Sequence, residues 1–244
     1  MNRQTKGIRL SVVSAFLVTA AVFLTAFLIL TSFRINESYQ RMSAATEKYI
    51  TCQLDASDMA AASDYLTAQV RTFASTGQRK YLENFFTETQ ETKRRDRAVA
   101  DMEEVLAGSD VYQKLQQALN DSNELIQIEY YAMRLTIEAF AQDLSTYPEE
   151  IRRIEIAPED QALTGTDLQM KAINILFDDT YMSYKDKIYQ NVDFATDELI
   201  RITRDEQKSS QEELAGLLRR EYVLLGALLG VIVATVALAN RMVF

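Results

Sequence analysis

The sequence predicts an all-α membrane protein in which two transmembrane helices flank an extracytoplasmic up-down-up-down four-helix bundle with long first and last helices. Three observations lead to this class. Residues 10–33 and 222–240 are runs of 24 and 19 residues without a charge, and at about 1.5 Å per residue each spans a hydrocarbon core. The segment between them holds only two prolines, Pro148 and Pro158, and four glycines, Gly77, Gly108, Gly165 and Gly216. Its apolar residues recur with the spacing of one helix face.

The chain begins with Arg3, Lys6 and Arg9 and no acid before the first apolar run. A secretory signal peptide starts the same way. The run exceeds the roughly 7–15 residues of a signal core and no small-x-small cleavage site closes it, which favours an uncleaved anchor. Together with Arg241, the tails 1–9 and 241–244 carry four basic residues and no acids, so both termini are expected in the cytoplasm. Residues 34–221 then lie outside the cell (inner) membrane. RMVF at the C-terminus reads as the start of a cytoplasmic output region.

The outer segment is expected to form four helices. The first, near 34–76, has Ile35, Met42, Tyr49, Ala56, Met59, Leu66, Val70 and Phe73 along one stripe, and Gly77 is its natural C-cap. The second, near 80–106, buries Leu82, Phe85, Ala98, Val99, Met102 and Leu106 before Gly108. Ser109 or Asp110 caps a third, with Leu115, Leu119, Ser122, Leu125, Ala132, Leu135 and Ala139 inward, ending near Leu144. Residues 145–166 hold both prolines and read as loop with a short helix in YPEEIRRIEI.

Thr166 or Asp167 is expected to cap one unbroken last helix running from 167 into the second span, with Leu168, Ile175, Met182, Ile188, Val192, Leu199 and Ile202 inward. Residues 203–213, TRDEQKSSQEE, contain no aliphatic residue. A helix without an apolar stripe is weakly packed and free to shift. Gly226, Gly230 and Ala234 put small residues on one face of the second span, a pattern that suits close packing in a homodimer.

Composition narrows the function. The outer segment carries 22 basic residues against 35 acids, a formal net charge of −13, which argues against nucleic acid or anionic lipid as partner. The single cysteine, Cys52, cannot form an intramolecular disulfide and reads as an apolar filler. With no histidine in the chain, His-based zinc sites and His-dependent triads are excluded. There is no Gly-rich phosphate loop. Neither a cofactor nor an enzyme active site is expected within these residues.

Three runs resemble a known family: SDYLTAQVRTFASTGQRKYLENFFTETQETKRRDRAVADM at 63–102, LQQALNDSNELIQIEYYAMRL at 115–135 and DDTYMSYKDKI at 178–188. Their content and order resemble the extracytoplasmic helical sensor region of bacterial membrane signalling proteins, mainly from Firmicutes. In that family a diguanylate cyclase (GGDEF) module commonly follows the second span, and sometimes a hybrid histidine kinase. The architecture is also distantly similar to the four-helix ligand-binding domains of chemoreceptors. The resemblance implies an input domain that passes an outside cue inward, and it covers no output chemistry.

Polar residues within the apolar stripes are the candidate site: Arg71, Arg95, Glu129, Tyr130, Asp178, Tyr181 and Lys185. Depth counted from the turns sets Arg71 near Phe85, Phe85 near Tyr131, and Glu129 and Tyr130 opposite 178–181. Arg94, Arg95, Ser122 and Lys185 form a second group nearer the membrane. Each buried polar group needs a partner. On one reading they pair with each other, Arg71 with Glu129 or Asp178, and fix helix register. On the other they line a cavity for a small polar or anionic ligand, with Arg71 or Arg95 gripping a carboxylate. A membrane-anchored helical scaffold without a ligand is the rival function.

Overall fold

The computed structural model describes the backbone of residues 4–243 and the side chains of residues 12–240. Arg3 and the side chains of Lys6, Arg9 and Arg241, on which the expected orientation rests, lie outside the described residues. Every regular element described is helical: α1 Gln4–Thr76, α2 Arg79–Phe86, a π-helical turn Thr87–Thr92, α3 Arg94–Leu106, α4 Asp110–Ala139, a 3-10 turn Leu144–Thr146, α5 Glu149–Arg152, α6 Gly165–Ile175 and α7 Asp179–Val243. They form two compact units, one of residues up to Glu47 and from Thr203, the other of residues 48–202.

In the first unit, α1 and α7 are long and apolar enough to cross a membrane, with windows of mean hydropathy 2.6 and 2.5. Only 6% and 0% of those windows are buried, which separates them from the core helices of a soluble protein. Phe16 and Phe23 on α1 and Val223 and Leu229 on α7 are among the exposed apolar side chains. Residues of both helices, such as Ile29 and Ile232, line a shared apolar groove. The polar stretch 203–213 stays helical, and its half-buried positions Thr203, Gln207 and Ser210 make a narrow seam.

In the second unit the core is built as the apolar periodicity requires. Ala56, Met59, Leu66, Val70 and Phe73 of α1 are buried with Leu82 and Phe85 of α2, Val99 and Met102 of α3, and Leu115, Leu125 and Ala132 of α4. Cys52 is buried with them, and burial pushes its thiol up. α4 packs against α3, α5 and α6. Gly77 ends α1 at φ +63°, donating its N–H to the Phe73 carbonyl at 2.7 Å, a left-handed cap that glycine adopts without strain. The Ser109 hydroxyl caps α4 by accepting the Tyr112 N–H at 3.2 Å.

Several boundaries differ from those expected. The second helix is not continuous: the π turn and Lys93 at φ +45° separate α2 from α3. Buried Glu88 explains the break, since its carboxylate accepts the Thr92 hydroxyl at 2.6 Å, the Arg94 N–H at 3.1 Å and Arg94 Nε at 2.9 Å. Burial raises the Glu88 pKa, but these bonds outweigh it and leave the carboxyl below its ordinary value. α4 ends at Ala139 rather than near Leu144, with Ala141 at φ +51°.

The last helix, expected to run unbroken from 167, is two helices. α6 starts at Gly165 behind an N-cap Thr164 whose side chain makes no cap bond, so neither Thr166 nor Asp167 is the cap. The chain then breaks at 176–178, where Asp178 accepts the Tyr181 N–H at 2.8 Å and restarts the helix as α7. The break resets the helical phase. Tyr181, Lys185, Ile188, Val192, Ala195 and Leu199 face inward, and Met182, expected inside, is 41% exposed.

Candidate functional site

Two polar steps one helical turn apart cross the 48–202 unit. On α1, Ser63 and Thr67 are four residues apart and share a face; Tyr181 and Lys185 do the same on α7. In the first step the fully buried Tyr181 hydroxyl donates to Glu129 Oε1 of α4 at 2.8 Å, with the Thr67 hydroxyl 2.9 Å away. Burial pushes Glu129 up to about 7, although the Tyr181 bond and the charges of Arg95, Lys185 and Arg71 pull it back. Burial, and then the Glu129 charge, push the Tyr181 phenol up as well.

In the second step Lys185 Nζ donates to Asp64 Oδ1 at 2.6 Å and to Ser63 Oγ at 3.4 Å. Ser122 Oγ on α4 lies 3.4 Å from Ser63 Oγ and accepts from Arg95 Nη1 of α3 at 2.5 Å. Arg95 is only 3% exposed. Burial lowers its pKa, opposed by Asp96, Glu129 and Glu88. Lys185, Ser63, Ser122 and Arg95 therefore link α7, α1, α4 and α3 through hydroxyl groups. Tyr189 also donates to Asp64, so the acid that holds the buried lysine is shared.

The expected candidates are thus divided. Arg95, Glu129, Tyr181 and Lys185 come together. Arg71 does not pair with Glu129 or Asp178. Its Nε and Nη2 donate to the Leu176 carbonyl at 3.2 and 2.8 Å, and its guanidinium lies 3.8 Å over the Phe177 ring. A cation at a helix C-terminus is favourably placed, and this one pins the α6–α7 break. Asp178 is an exposed cap. Tyr130 faces α2, stacked on Phe86 at 5.5 Å and edge-on to Phe85 at 6.0 Å, with burial pushing its phenol up to about 12. Tyr130, not Tyr131, is therefore the neighbour of Phe85.

Arg94, expected beside Arg95, is bound to Glu88. Gly226, Gly230 and Ala234 are exposed along α7, and a Cβ added at either glycine meets nothing within 4 Å.

A second polar feature escaped the sequence reading. Over α4 the connection from Ile154 to Leu163 and the start of α6 border an open pocket of about 530 Å³, with Arg134 in its wall. Tyr131 secures this cover by donating to Asp160 at 2.7 Å and accepting the Ala157 N–H at 3.1 Å, and Lys171 pairs with Asp160 at 3.2 Å. Arg134 Nη1 bonds Glu138 at 3.0 Å, but its Nε is sealed from solvent without a hydrogen-bond partner. The available sequence signal was an arginine between the apolar residues Met133 and Leu135.

No known protein family, curated protein or solved structure matches the chain. The geometry of the polar steps and of the pocket carries the functional argument.

Proposed function

We propose that this chain is the sensing portion of a two-span bacterial signalling protein, of the kind its 63–188 segment resembles. Residues 34–221 lie outside the cell membrane and both termini in the cytoplasm. α1, α2 with α3, α4, and α6 with α7 run as an up-down-up-down four-helix bundle, and chains pair as homodimers through the Gly226, Gly230 and Ala234 face. A cue on the outer part changes how α7 sits against α1, and a cytoplasmic output of cyclase or kinase type reads the change. The residues in hand perform no catalysis.

One observation supports this above the others: the two helices with membrane-crossing windows also supply both sides of the polar steps. Ser63, Asp64 and Thr67 come from α1, and Tyr181 and Lys185 from α7. Buried charges give weak net stability but penalise a wrong register heavily. With Glu129 poised at about 7, small changes in its surroundings change its charge, and with it the balance among Arg95, Lys185 and Asp64. A cue acts by binding the two arrangements unequally.

The scaffold reading draws on a specific observation too, since Lys185 with Asp64 and Tyr181 with Glu129 are paired internally. An output fusion separates the two. A histidine-kinase output module joined after Phe244 is assayed with and without Glu129→Gln and Lys185→Met. Sensing predicts a several-fold change in phosphorylation from at least one substitution at unchanged expression. Equal output from all three chains would favour the scaffold.

A further inference from the structure

We propose that the pocket between α4 and the start of α6 binds the carboxylate of a small aliphatic acid, with Arg134 as its anchor. The pocket lies within the 48–202 unit, and its volume of about 530 Å³ is that of a small-molecule site. Three independent features of its lining agree on the chemistry.

The first is Arg134. Its side chain is 12% exposed, and only one edge of its guanidinium is engaged, by Glu138. The Nε is buried with no partner. A buried donor on a cation is costly to leave unpaired. A carboxylate entering at Nη2, the open end of the other edge, reaches Nε after a small shift of the side chain, in the paired geometry that a planar guanidinium offers.

The second is the start of α6. Thr164 provides no side-chain cap, and the amides of Gly165 and Thr166 have no backbone partner among the described residues. Thr164 and Gly165 both line the pocket. Free N–H groups at the positive end of a helix attract an anion. The third is apolar: Ile154, Ile156, Leu163 and Leu168 complete the wall and suit a short hydrocarbon body.

Of the acids nearby, Asp160 is held by Lys171 and Tyr131, while Glu138 sits on Arg134 and competes with an incoming carboxylate. Glu155, exposed in the lining, remains to receive an ammonium group where the acid carries one. Free fatty-type acids and apolar amino acids share the carboxylate and the body, and two probes distinguish them. A ligand here is the cue that the sensor reading calls for, but binding is measured apart from output, so either proposal can fail alone.

The test is calorimetric titration of the full chain in lipid nanodiscs with 4-methylpentanoate, with leucine, and with 4-methylpentanamide. Saturable binding of one or both acids, without binding of the amide, is expected. Arg134→Gln should weaken it at least about tenfold and Arg134→Lys by a smaller factor. Glu138→Gln, a change at a half-exposed side chain, should tighten it by releasing Nη1 from a competing carboxylate. Absence of binding by both acids, equal binding of the amide, or affinities unchanged in Arg134→Lys and Glu138→Gln would overturn the proposal.

Discussion

Tyr181 on α7 donates its hydroxyl to Glu129 on α4 at 2.8 Å, inside a core where Glu129 is only 2% exposed. A carboxyl held there at about 7 makes this contact sensitive to pH near neutrality. The folded pKa is above the unfolded one, so the stability that Glu129 contributes is fully present below about 4.5 and is lost as pH rises through about 7. Glu129→Gln keeps an acceptor for Tyr181 and removes the titration. Its stability relative to the parent, from thermal unfolding followed by circular dichroism, should rise between pH 4.5 and 7. The gain should level off on the order of 3 kcal/mol. A difference that stays flat across that window would contradict the assignment.

Lys185 and Asp64 form an unequal pair, 6% and 50% exposed at their side chains. Asp64→Ala leaves a buried ammonium with the Ser63 hydroxyl and the Tyr189 ring as neighbours and should cost about 1–2 kcal/mol, less than a fully buried pair because Asp64 is solvated. Lys185→Met removes the charge at similar volume and should change stability by less than about 1 kcal/mol. Chemical denaturation of both variants checks the order. A larger loss for Lys185→Met would mean that the ammonium itself holds the helices together.

Gly77 tests the turn between α1 and α2. A Cβ there would lie 2.8 Å from the Phe140 ring, at a backbone φ of +63°. Gly77→Ala should therefore cost at least about 2 kcal/mol, from the left-handed penalty and the displaced ring together. Adding Phe140→Ala should return part of that in a double-mutant cycle of melting temperatures. Full additivity would place the strain in the backbone alone.

Arg71 makes its prediction through the 176–178 break. Arg71→Ala should raise hydrogen exchange at 176–182, because the Leu176 carbonyl loses a charged donor worth about 1–2 kcal/mol. Exchange across 115–135 should be unaffected. A rise spread over the whole 48–202 unit would make Arg71 a general support of the core.

Helical periodicity made the all-α class and much of the core legible, because Met59, Leu66, Val70, Phe73, Leu82 and Phe85 follow a simple spacing and are buried as expected. The breaks were hidden because each is produced by a tertiary partner. Glu88 is an ordinary helix former until it is buried against Thr92 and Arg94, and FDD at 177–179 opens only with Arg71 on the Leu176 carbonyl and Asp178 capping α7. Counting depth from turns brought Glu129 to Tyr181 but misjudged Tyr130 by one residue, which on a helix turns a side chain by about 100°. Arg134 was overlooked because its distinction is a missing partner. No spacing rule reveals an absence that depends on how the 154–165 connection folds over α4.

The central claim is that the charge state of the polar steps sets how α7 lies against α1 within the 48–202 unit. Leu54 on α1 and Phe194 on α7 are 62% and 43% exposed and accept spin labels once Cys52 is replaced by alanine. Distances between the labels are measured by pulsed electron paramagnetic resonance on full chains in nanodiscs, diluted with unlabelled chain, at pH 5.5 and 8.5. The distance distribution should shift between the two pH values, and Glu129→Gln should hold the low-pH distribution at both. Superimposable distributions in the parent chain at both pH values would contradict the claim.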